Sequence, residues 1–190
     1  MESSISNVAE LALKIRHHNA DRKGSLIGID GALSTGKSTV ARLLAAELNA
    51  RLLEGDLYLL TSKNTYLESL ALDCLGKVLQ RALENNRPVI FESVLLRQVL
   101  AKLELKPSII IYVRHCSRVG SPRNPKLFQP QSHEHKISQE VNKENLTSGD
   151  SDPLQRLPRE VCSYHMLERP QEYSDIIFDN VFDISTQRLR

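Results

Sequence analysis

Tryptophan is absent from the 190 residues and aromatic residues make up only 5% of them, which leaves little for a protein that stacks bases along a single strand. Charge of one sign is equally scarce. A formal net charge of +2 is too mild to mark a nucleic-acid or membrane surface by itself, so neither partner is expected. The three cysteines, Cys74, Cys116 and Cys162, are odd in number, far apart and outside any C-x-x-C spacing. That pattern excludes a disulfide framework and a zinc ribbon, and predicts reduced packing residues in a cytoplasmic protein. No long apolar run occurs, and the N-terminal stretch is acidic early, so no secretory or membrane-spanning segment is expected and the chain should be soluble. What remains, 41% hydrophobic and 25% charged residues, is ordinary for a single domain covering 1–190.

Against that plain background one stretch stands out. Gly31-Ala32-Leu33-Ser34-Thr35-Gly36-Lys37-Ser38 satisfies the phosphate-loop pattern G-x-x-x-x-G-K-[ST] in full. Ser25 to Asp30 before it has the composition of a buried strand, and Ser38 to Leu48 after it carries Val40, Leu43, Leu44 and Leu48 at helical spacing. Glycines at 31 and 36 permit backbone angles and a close approach that a Cβ would forbid, so successive N–H groups can converge on phosphate oxygens at a helix start. Lys37 is expected to reach the β and γ phosphates, and Ser38 to ligate Mg²⁺, with Thr39 completing the nucleotide-binding run Gly31 to Thr39.

Two acids fall where such a loop needs them. Ala50 to Gly55 is a strand candidate closed by Asp56, and Pro88 to Glu92 is another that ends on Glu92. Carboxylates at the carboxyl ends of strands in an open α/β sheet lie in the ligand crevice, where they orient Mg²⁺ or take a proton from an attacking hydroxyl. A helix cap or turn role for Asp56, and an ordinary strand-end role for Glu92, are the competing readings. The metal set is therefore Ser38, Asp56 and Glu92.

Around these, periodicity predicts helices over Ser4 to His18, Thr65 to Asn85, Ser93 to Leu105 and Pro158 to Leu167. The long second helix is expected to bury Tyr66, Leu70, Cys74, Leu75, Val78, Leu79 and Leu83. Strands are expected at Pro107 to Val113 and Ser174 to Asp179, with Val181 to Ile184 continuing or turning into a last short one. Strands alternating with helices imply a P-loop NTPase-type α/β fold: a parallel five-stranded sheet with helices on both faces. Residues 115–158 are polar and poor in apolar material, and are expected to form a lid or flexible insertion. Among its cations Arg114 and Arg118 follow a strand's active edge and are the candidates for closing over phosphates. His133-Glu134-His135 lacks further spaced ligands for a metal, and Asn142-Lys143-Glu144-Asn145 lacks the Asp of the guanine-reading N-K-x-D.

The order of motifs resembles the P-loop small-molecule kinases, and within them the uridine kinase and nicotinamide riboside kinase family. The resemblance rests on Gly31 to Thr39, on Asp56-Leu57-Tyr58 for the family's Asp-x-[Phe/Tyr], on Val89 to Leu96 for its strand ending in Glu-Gly-x-x-x-Leu, and on Arg169 to Ile177 for its Pro-x-x-x-Tyr-Ala-Asp run. Two departures stand in it: Ser93 occupies the position of the family's Gly, and no Asp-His-Pro segment follows Tyr58. The resemblance implies transfer of the γ-phosphoryl of ATP, with Mg²⁺, to a hydroxyl of a small molecule, nucleoside or nucleoside-like. It also implies Asp56 as the base, and Glu92 as holder of Mg²⁺ or acceptor. Lys37, Asp56, Glu92, Arg114 and Arg118 form the expected catalytic group. The alternatives are a nucleotide-gated ATPase or switch that binds a protein partner through the polar segment, and a kinase for a nucleotide or sugar nucleotide.

Overall fold

A computed structural model describes residues 5–60, 65–116 and 153–181, with side chains from 157 onward in the last segment. The expectations placed on Arg118, on His133-Glu134-His135, on Asn142 to Asn145 and on residues 182–184 lie outside the described residues.

Five strands form one parallel sheet in the order β2-β3-β1-β4-β5. They are β1 (Leu26–Asp30), β2 (Arg51–Glu54), β3 (Val89–Glu92), β4 (Ile109–His115) and β5 (Ile176–Asn180). β1 and β3 are buried along their whole length, as near-continuous apolar runs in a sheet covered on both faces should be. Register sorts the side chains. Ile27 pairs with Ile90 and Ile109, and these residues face one side together with Ile29, Ile111 and Phe178. There they meet α1 (Val8–His17) and α2 (Lys37–Leu48) through Leu11, Ile15, Val40 and Leu44. Leu26, Val89 and Phe91 face the other side, against α4 (Leu72–Leu83), α5 (Leu96–Lys102) and α6 (Pro153–Glu168). A Cβ on Gly28 would stand 2.8 Å from Leu96 Cδ2, so the missing side chain sets how closely α5 approaches the central strand.

The helix boundaries depart from the periodic reading in instructive ways. α1 starts at Val8 rather than Ser4, because Ile5 forms a bridge with Phe178 at the sheet edge and Asn7 then caps the helix, accepting from Ala9 N at 2.8 Å. Thr65 to Asn85 is broken in two. A single turn, α3 (Tyr66–Ser69), carries a capping box between Thr65 and Glu68, and Leu70 is then extended. Here the backbone leaves the helix to pair with the turn after β2: Leu60 N donates to Ser69 O at 2.9 Å and Ala71 N to Tyr58 O at 2.9 Å. The resulting shift in phase buries Leu75, Leu79 and Ala82 and leaves Cys74 and Val78 exposed, contrary to the expected face. Leu43 in α2 is likewise 45% exposed, its place against the sheet taken by Ala41. α5 is shorter than Ser93 to Leu105, and β4 extends past Val113 to His115, so Arg114 lies inside the strand. α6 starts upstream of Pro158 and carries that proline within it.

Candidate active site

With β1 central and chain crossovers leaving it in both directions, the carboxyl ends of β1, β3 and β4 open at the point where the strand order reverses. The phosphate loop fills that point. Ser34 and Gly36 adopt the left-handed region, at φ 59° and 84°, and α2 starts at Lys37 with no side-chain cap on its first N–H groups. Loop N–H groups and a bare helix start make the anion cradle that the sequence predicts. Its glycines are required by contact as well as by angle. A Cβ on Gly31 would lie 2.3 Å from Val113 O, and one on Gly36 would lie 2.1 Å from Asn180 Nδ2.

The loop is braced from within and from the sheet. Thr35 Oγ1 and Lys37 Nζ both donate to Ala32 O, at 2.9 and 3.0 Å, so the lysine arches back over its own loop. Asn180, at the end of β5, donates from Nδ2 to Thr35 O at 2.7 Å. Asp30 closes the underside: its carboxylate accepts from Gly31 N at 2.7 Å and from the Tyr164 hydroxyl of α6. Leu33 packs against the apolar layer of α4 to α6, and Thr39 is exposed on the first turn of α2.

The expected acids arrive beside this loop. Register sets Glu92 next to Ile29, one residue short of Asp30, and its Oε1 accepts from Ser38 Oγ at 2.8 Å. Glu92 is 3% exposed, and burial pushes its carboxyl upward against the opposing pull of the Ser38 hydroxyl and the Lys37 ammonium. Burial lowers the Lys37 ammonium, with Glu92, Asp30 and Asp56 holding it up in that order. Asp56 stands in the exposed turn after β2, where its Oδ1 accepts from Tyr66 Oη at 2.7 Å rather than joining Ser38 and Glu92. Burial drives the Asp30 carboxyl up to about 6, with the Tyr164 hydroxyl, the Gly31 N–H, Lys37 and Arg97 pulling it back. Burial also pushes the His165 imidazole down to about 4.

Ser38 and Glu92 are two hard oxygen donors in contact, a pair suited to magnesium that shares its remaining positions with phosphate oxygens and water. Among the described residues no three His, Cys, Asp or Glu side chains gather as a metal site. Arg114 is engaged elsewhere: its Nη2 donates to Asp179 Oδ2 at 3.0 Å and its Nε to the other carboxylate oxygen, across the β4–β5 pair. All three cysteines are free thiols, Cys116 buried, Cys162 half-buried and Cys74 exposed.

Asp30, Tyr66, Tyr164 and Asn180 are the site residues that motif reading missed. Asp30 carried a signal, an acid closing an apolar strand directly before Gly31, whereas Tyr66, Tyr164 and Asn180 are contributed by segments far along the chain.

The architecture is that of the P-loop kinases: a five-stranded parallel sheet flanked by helices with the phosphate loop after the central strand. A protein from Bacillus stearothermophilus described as a possible uridine kinase has this fold, with 14% sequence identity, 90% of this chain and 97% of that chain covered, and a TM-score of 0.54. A gluconokinase from Sinorhizobium meliloti 1021 is a looser match, at 16% identity, 87% of each chain covered and a TM-score of 0.43. No family model and no curated protein matches the sequence. The fold of the Bacillus protein agrees with the uridine kinase and nicotinamide riboside kinase resemblance of the motifs.

Proposed function

We propose that the protein is a small-molecule kinase of the cytoplasm, transferring the γ-phosphoryl of ATP to a hydroxyl of a nucleoside or nucleoside-like compound. The observation that carries this reading is the Ser38–Glu92 contact beside Lys37 in one phosphate loop, with Asp56 in the turn after β2 contributing its charge to Lys37. The loop N–H groups and Lys37 bind and orient the donor's phosphates, where fixed positive charge is worth most in the transition state. Ser38 and Glu92 would hold magnesium, which would supply positive charge against the donor's phosphates. Asp56 accepts the proton of the acceptor hydroxyl as its oxygen bonds to the γ phosphorus and the bond to the β–γ bridging oxygen breaks, leaving ADP. The exposure of Asp56 gives an acceptor access to it from solvent.

A coupled assay of ADP release with MgATP, run across nucleosides, vitamins, sugars and nucleotides beside an acceptor-free control, tests the proposal. Acceptor-dependent release that collapses in Lys37→Ala supports it, and Asp56→Asn is expected to cut turnover while leaving ATP affinity largely intact. Turnover indifferent to every acceptor would favour a nucleotide-gated switch instead. An ATP titration showing no binding with magnesium present would end the reading.

A further inference from the structure

Tyr66 is 5% exposed although it sits on a one-turn helix at the rim of the site, and three contacts account for its burial. Its backbone N–H donates to Glu160 Oε2 of α6 at 2.8 Å, which fixes the residue from behind. Its hydroxyl lies 2.7 Å from Asp56 Oδ1 and 3.1 Å from Ser93 Oγ. The proton count then settles the direction of these bonds. A carboxylate only accepts, so the one phenolic proton goes to Asp56, and the Ser93 contact is made by the serine hydroxyl as donor or by none. Ser93 has a second acceptor in Val94 O at 2.7 Å, so its proton is shared between two sites.

We infer that Tyr66 is a positioning residue for the proposed phosphoryl transfer: its hydroxyl holds Oδ1 of Asp56 and thereby aims Oδ2 at the acceptor. Among the described residues Oδ2 has no hydrogen-bond partner, as a group that must receive a substrate proton requires. Gly55 and Ser93 make room for the arrangement. A Cβ at residue 55 would stand 2.7 Å from Ser93 Oγ and 3.1 Å from Tyr66 Oη, so the serine fills space that a side chain before Asp56 would otherwise take.

The inference rests on the kinase reading, and a double-mutant cycle separates the two. Wild type, Tyr66→Phe, Asp56→Asn and the double variant are compared as full chains with MgATP and a probe panel of uridine, D-ribose and D-gluconate. Water is the acceptor if none of the three is phosphorylated, the rate then being ADP release alone. Tyr66→Phe is expected to lower kcat about 10- to 100-fold with KM for ATP unchanged, and to cost less than about twofold further when Asp56 is already Asn. A parental kcat in Tyr66→Phe while Asp56→Asn is impaired overturns the positioning role and leaves the kinase reading standing. Equal losses in both backgrounds overturn it as well, because they assign Tyr66 a role in folding or binding apart from Asp56. A parental rate in Asp56→Asn overturns the positioning role together with the base assigned to Asp56, and a phosphorylated acceptor in that variant still leaves the kinase reading standing. Should Tyr66→Phe lower the melting temperature, the cycle still decides, since a general loss of fold would carry over undiminished into the Asp56→Asn background.

Discussion

Asp30 offers a pH experiment that needs no substrate. Its carboxyl is raised from an ordinary 3.8 to about 6 in the folded chain, above all by burial, so folding favours its protonated form. The associated stability is fully present below the unfolded value and is lost as pH rises through the folded one. The whole interval, near two units, corresponds to about 3 kcal/mol at about 1.36 kcal/mol per unit, and roughly 2 kcal/mol of it falls between about pH 4 and about pH 7. Asparagine at this position does not titrate. It keeps one oxygen, for Gly31 N, and sets an amide nitrogen opposite the Tyr164 hydroxyl in place of the second oxygen, and whatever that exchange costs is the same at every pH. The difference in unfolding free energy, wild type minus Asp30→Asn, should therefore shift against the wild type by about 2 kcal/mol across that window. Urea denaturation of both chains at several pH values without nucleotide measures it, and the subtraction cancels the other titrating groups. Parallel stability curves, with a gap constant to within about 0.5 kcal/mol, would refute the claim that this carboxyl is held protonated by its burial.

Gly36→Ala meets Asn180 Nδ2 at 2.1 Å and sits at φ 84°, so nucleotide affinity by calorimetry should fall at least about 100-fold. Gly55→Ala should cut turnover by pushing Ser93 and Tyr66 off Asp56, and adding Ser93→Gly should restore most of it; no recovery would separate the two positions. Glu92→Gln weakens the pairing with Ser38 and is expected to raise the magnesium concentration needed for half-maximal ADP release about 10- to 100-fold, read from a magnesium titration at fixed ATP. Leu79→Ala, at a fully buried position of α4, should cost about 2–5 kcal/mol of unfolding free energy in urea.

The central strands were legible because a strand covered on both faces is an unbroken apolar run, and Ile27, Ile29, Ile90 and Ile111 carry that signal whatever their neighbours. The loop was legible for a different reason: Gly31 and Gly36 are forced by contact and angle, and with Lys37 and Ser38 they fall at one fixed spacing. Thr65 to Asn85 misled, since apolar spacing carries no record of the backbone partners at Tyr58 and Leu60 that break the helix at Leu70. Arg114 has a partner of the same hidden kind. Its charge suggested phosphate, but register sets it opposite Asp179, a partner 65 residues on. Asn180 gave no sign of itself, for its bond to Thr35 O joins residues far apart along the chain.

That last contact has a bearing on biosynthesis. The phosphate loop leaves the ribosome before β5, yet its brace belongs to that strand, with a separation of 145 positions between donor and acceptor. A growing polypeptide therefore carries every residue needed to grip a triphosphate well before it can hold them in shape. Under the proposed function, affinity for the donor becomes a report on assembly of the sheet: it arrives with the docking of a strand that translation delivers after all the others in it.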